Sequence, residues 1–100
     1  LREEETSERW SDWATAQFAL SQFADAERGF RRALELNPEL PDAAVNFGAM
    51  LVGLQRWSEA ITMFEGVLPK LEPGARGSVS ALAEQCRAQL DPAAQSSASR

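Results

Sequence analysis

The sequence contains no histidine and no tyrosine, and it has one cysteine among 100 residues. These absences remove the side chains that most often carry proton transfer, metal ligation and activated nucleophiles near neutral pH. Cys86 has no second cysteine in the chain, so an internal disulfide is excluded. With no imidazole to activate it and a place on an apolar stripe, it reads as a buried structural thiol. Apolar runs stop after a few residues, far short of the ~20 that cross a bilayer. No charged segment leads into an apolar stretch, so no signal peptide is read and a cytoplasmic setting is expected. Leu1 in place of Met points to a processed chain or a domain cut from a longer one.

Basic charge is also in short supply. The net charge is −5, and residues 1–50 hold all of the excess, with ten acids against five bases. That half would repel a phosphate backbone or an acidic membrane surface, so neither nucleic acid nor membrane is an expected partner. Glu3, Glu4, Glu5 and Glu8 lack a Gly-bearing loop or a second ligand cluster, so residues 1–6 read as a solvated acidic lead-in. Arg28, Arg31 and Arg32 stand at or near helical neighbour spacing from Asp25, Glu27 and Glu35, which reads as an ion-paired helix face. No catalytic constellation, cofactor motif or metal set remains, and the chain is not expected to be an enzyme.

What is abundant is alanine, 17 residues within the 44% apolar content. Alanine is the best helix former and is depleted in strands, so the composition predicts an all-α chain. Self-similarity then organises it. Residues 7–40 laid over 41–74, a shift of 34, place Leu20 on Leu54, Ala26 on Ala60, Phe30 on Phe64 and Leu34 on Leu68. The same shift sets Trp13 on Phe47, Ala14 on Gly48, Phe23 on Trp57 and Asp25 on Glu59. The matches are the positions that would pack.

Within residues 7–20, Trp10, Trp13, Ala14 and Phe18 keep a three-and-four rhythm that Gln17 interrupts. Ala26, Phe30, Ala33 and Leu34 repeat the rhythm in residues 24–36. Small residues at Ala14, Ala26, Gly48 and Ala60 would let helix backbones approach, with Trp13 and Phe30 filling the neighbouring holes. Trp10, Trp13 and Trp57 all fall on packing sites, with Trp10 the candidate exception because no helix precedes it. Asn37-Pro38 ends the second helix and Pro41 opens the third. Pro69 to Gly74 reads as a loop, followed by a fifth helix from about residue 75 to Leu90, stopped by Asp91-Pro92. One residue inserted in that loop puts Val79, Leu82-Ala83 and Cys86 on its packing stripe. Residues 91–100, rich in Ser and Ala, are expected to be a disordered tail.

The pattern resembles the tetratricopeptide repeat family: Trp10, Trp13-Ala14, Ala26-x3-Phe30, Ala33 and Pro38, then Ala44, Phe47-Gly48, Leu51, Ala60-x3-Phe64 and Val67. Gln17 departs from an aromatic site, and Glu72 stands where Pro is usual, with Pro73 one place later. The resemblance implies an α-solenoid of antiparallel helix pairs with about five helices. Its parts would be repeat 7–40, repeat 41–74 and a capping helix at 75–90.

In this family the first helix of each repeat lines a concave groove for an extended peptide or a partner helix. The resemblance therefore implies groove positions at Glu8, Ser11, Asp12, Thr15, Phe18 and Ala19. Asp42, Val45, Asn46, Ala49 and Val52 would follow from the third helix, and Ser80, Glu84 and Arg87 from the fifth. Some members clamp a C-terminal carboxylate. Asn46 matches one such residue, but Ser11 replaces a Lys and Ser80 or Ala81 an Arg, which argues against that activity here. The implied groove is acidic at Glu8, Asp12 and Asp42, so the expected partner is a protein or peptide with basic and apolar side chains. The alternative is a structural or self-associating segment of a longer, multidomain chain, an enzymatic one included, because two repeats fall short of the roughly three usually needed for stability.

Overall fold

The computed structural model describes residues 6–90. The expected acidic lead-in, apart from Thr6, lies outside this range, as do the expected stop at Asp91-Pro92 and the expected disordered tail. Five helices follow one another: α1 (Ser7–Ala19), α2 (Phe23–Leu36), α3 (Pro41–Gly53), α4 (Trp57–Val67) and α5 (Pro73–Leu90). A single 3-10 turn, Leu68–Lys70, precedes α5, and no strand occurs among the described residues.

Local chemistry sets most boundaries. The Thr6 hydroxyl accepts the Arg9 N–H at 3.1 Å and caps α1. Pro41 occupies the start of α3, where its missing N–H costs nothing. Asn37, in extended conformation before Pro38, ends α2. Helix α5 begins at Pro73, two residues earlier than expected, because this proline starts the helix instead of closing the loop before it.

The turns after α1 and α3 share one geometry, 34 residues apart. Ser21 and Gln55 both sit at φ 61, and Gln22 and Arg56 each donate a backbone N–H at 2.8 Å to a carbonyl five residues back. This closes the last helical turn and sends the chain back along the helix it has just left. The other connections are also short, so successive helices run in roughly opposite directions. Packing is most extensive between α1 and α2, α3 and α4, and α4 and α5; the α2–α3 seam is thinner. A radius of gyration of 14.6 Å, against about 13 Å for a compact 100-residue domain, reflects this row-like arrangement.

The core is a continuous line of small and aromatic side chains. Ala14, Ala26, Phe30, Ala33, Ala60 and Phe64 are fully buried. Gly48 lets α3 approach α4 so closely that a β-carbon there would lie 2.9 Å from Phe64 Cδ1 and Cζ. At the α2–α3 seam the Phe30 and Phe47 rings stack at 5.6 Å between centroids, and the Arg31 guanidinium lies 5.2 Å from the Phe47 centroid. In α5 the buried residues are Val79, Ala83 and Cys86, with Leu82 half-buried. Burial pushes the Cys86 thiol above its ordinary pKa, which fits an inert packing role.

Tryptophan departs from expectation. Trp10 is half-buried, whereas Trp13, expected to fill a core hole, is 38% exposed. One edge of its ring lies against Gly29, and no described helix covers the other side.

An ion-pair network ties α2 to the start of α4. Arg56 donates to both Glu27 oxygens, at 2.7 and 3.0 Å, and to both Glu59 oxygens at 2.7 Å. Arg31 also reaches Glu27 at 2.6 Å. Hydrogen bonding from Arg56, with a smaller contribution from Arg31, lowers the Glu27 pKa from 4.5 to about 2. A carboxylate with a depressed folded-state pKa adds stability above its unfolded pKa and loses it as pH falls through the folded value. The network faces water on one side, so Glu27 is worth about 1–2 kcal/mol, less than the full linkage value. Acid titration of the unfolding free energy should therefore show a loss between pH 4.5 and about 2. Glu27→Gln should remove about 1–2 kcal/mol at neutral pH and flatten that acid slope. An unchanged slope in the variant would assign the acid sensitivity to other carboxylates.

Candidate binding clefts

Two clefts of opposite character flank α1. The first lies between α1 and α3, has a volume of about 220 Å³, and is lined by Glu8, Ser11, Asp12, Thr15, Leu40, Asp42 and Asn46. Six of the fourteen groove positions expected from sequence thus meet at one place. Asn46 Nδ2 donates to Thr15 Oγ1 at 3.4 Å, and that hydroxyl donates to the Ser11 carbonyl at 2.9 Å. These bonds fix the wall between the helices. Ser11 is 5% exposed, so it forms cleft floor and not the exposed contact expected of it. No basic side chain lines this cleft, so Glu8, Asp12 and Asp42 give it a negative potential.

The other eight positions do not line it. Phe18 is half-buried against Phe23, with ring centroids 6.2 Å apart. Val45 packs on the core, and Ala49 is half-buried on α3. Glu84 is held by Arg87 at 2.6 Å, and Arg87 also pairs with Glu65 on α4. This ion pairing fastens α5 to α4 and occupies Glu84. Leu40, at the start of α3, is the lining residue that sequence reasoning missed; its place beside Pro41 was the available signal.

The second cleft, about 760 Å³, opens between α1 and α2. Helix α1 contributes Arg9, Trp10 and Trp13, and α2 contributes Arg28, Arg31, Arg32 and Glu35. The indoles meet edge to face at 5.8 Å. Arg28 pairs with Asp25, Arg31 with Glu27, and Arg32 with Glu35 at 3.2 Å, as the spacing predicted. Sequence spacing showed this ion-paired face but not that it lies beside two tryptophans.

Among the described residues no cluster of three or more His, Cys, Asp or Glu is placed to hold a metal ion, and no helix is long and apolar enough to cross a membrane. No family model matches this chain, and no curated protein or solved structure matches it either.

Proposed function

We propose that the protein is a tetratricopeptide-like interaction module, a short α-solenoid that is not an enzyme. On this reading it holds an extended segment carrying Lys or Arg and apolar anchors in the α1–α3 cleft. The observation that carries the reading is the gathering of Glu8, Asp12 and Asp42 around one concavity without a lining base. Support for the repeat comes from α3 and α4 starting 34 residues after α1 and α2, with the same turn after α1 and α3.

Each exposed charge pair contributes about 0.2–1 kcal/mol, so three carboxylates acting together should favour a basic peptide by roughly tenfold. Isothermal titration with basic and acidic versions of one peptide tests this. Binding should favour the basic version, weaken with added salt, and fall several-fold in Asp12→Asn/Asp42→Asn. A preference for the acidic version at this cleft would overturn the reading. A second reading, a structural segment of a longer chain or a self-associating one, draws on Leu20, Phe23, Leu36 and Leu90, which remain exposed. Sedimentation at several concentrations reads out its self-associating form.

A further inference from the structure

The shift of 34 residues supplies an internal comparison for the larger cleft. It carries Trp10 onto Ala44, Trp13 onto Phe47, Arg28 onto Thr62 and Arg9 onto Ala43. On the second helix pair the corresponding face is covered by α2. Phe30 stacks on Phe47, Arg31 lies over the same ring, and Leu34, packed against the core, lines one space with Ala44. Spaces of about 250 and 180 Å³ lie there among the described residues. On the first pair the same face is the open 760 Å³ cleft. The molecule therefore contains a template for its occupant: a helix with an aromatic residue and a leucine four positions later.

The rims differ in charge. Where the second pair has Ala43 and Thr62, the first has Arg9 and Arg28, the latter also paired with Asp25, so an incoming helix is favoured by carboxylates in place of the Arg31 guanidinium. Trp10 Nε1 is buried and has no hydrogen-bond partner among the described residues, and an acceptor on the occupant would satisfy it. A second copy of this chain is a poor occupant. Its own Phe-x3-Leu faces are used internally, with Phe30 and Phe64 both fully buried.

We infer that the Trp10–Trp13 cleft docks an acidic amphipathic helix of a partner protein, with an aromatic ring on Trp13, a leucine beside Trp10 and carboxylates at Arg9 and Arg28. This surface is separate from the α1–α3 cleft and has the opposite charge preference. The test uses the full chain carrying Trp57→Phe, so that indole fluorescence reports on Trp10 and Trp13. The probes are a helical peptide with a Phe-x3-Leu face and flanking Glu, its Lys counterpart, and its Phe→Ala version.

The acidic peptide should shift the emission saturably and bind at least about tenfold more tightly than either control. Arg9→Glu/Arg28→Glu should reverse the charge preference, a gain for the Lys peptide that misfolding would not produce. Asp12→Asn/Asp42→Asn should leave this binding unchanged, which separates it from the basic-peptide reading. Equal binding of the two charge forms, no saturable shift, or a dimer that the acidic peptide fails to displace would each overturn the inference.

Discussion

Phe47→Ala is expected to cost about 3–5 kcal/mol, the range for truncating a buried phenylalanine. A domain of this size has roughly 5–10 kcal/mol in total, so the variant should sit near the edge of folding. The effect reaches beyond lost area because of where the ring lies. Phe47 is 1% exposed, stacks on Phe30 across the thin α2–α3 seam and carries Arg31 on its face. Removing it opens a void at that seam, where the Arg56–Glu27 network and the Asn46–Thr15 hydrogen bond would still tie the two helix pairs.

Tryptophan fluorescence can follow the pairs separately in two backgrounds, Trp57→Phe and Trp10→Phe/Trp13→Phe, because Trp10 and Trp13 lie in α1 and Trp57 begins α4. In urea the two backgrounds with Phe47 intact should give coincident transitions. In Phe47→Ala the midpoints should fall and separate. Phe47→Leu, which keeps most of the volume, should cost less than about 1.5 kcal/mol and keep the transitions together. If Phe47→Ala unfolded with a small, coincident shift, the seam would not be what couples the pairs.

Gly48→Ala is the second large effect, and its sign is opposite to the helix-propensity expectation. In an exposed helix interior the change from Gly to Ala stabilises by about 1 kcal/mol. At Gly48 the added carbon would lie 2.9 Å from Phe64 Cδ1 and Cζ and closer still to Cε1. Phe64 is fully buried, and its ring has little room to retreat. Overpacking of this kind costs about 1–3 kcal/mol, and the α3–α4 pair would have to separate to relieve it. Gly77→Ala is the internal control. It lies in α5 with nothing within 4 Å of the added carbon, so it should stabilise by about 0.5–1 kcal/mol. Thermal melts of the two variants should move in opposite directions; a shared upward shift would mean that α3 and α4 separate at little cost.

The clefts were legible in the sequence to different degrees. Glu8, Asp12, Asp42 and Asn46 were assigned to a groove by the resemblance to the repeat family, in which the first helix of each repeat lines one. Ser11 could not be recognised as buried, since its fate depends on how closely α1 approaches α3. Glu84 shared the helix-face pattern but is drawn to Arg87 beside Glu65, a partner on another helix that spacing within α5 does not reveal. Trp13 matched a packing position, yet its exposure depends on whether another helix covers α1. Ser21 and Gln55 carry no glycine signal for their left-handed turns, which the surrounding hydrogen bonds impose.

The surplus of alanine therefore settled the all-α class by itself. Helix propensity, proline placement and the 34-residue rhythm are local properties of the chain, and they determined five helices and most of their boundaries. The lone Cys86 could likewise be read as buried from its place on an apolar stripe. Only the tertiary structure decided which faces are covered. Phe47 and Trp13 occupy the same place in the rhythm, but α2 packs over one ring and no described helix packs over the other. Burial is a property of neighbours, and a repeated sequence pattern does not state which of its copies has one.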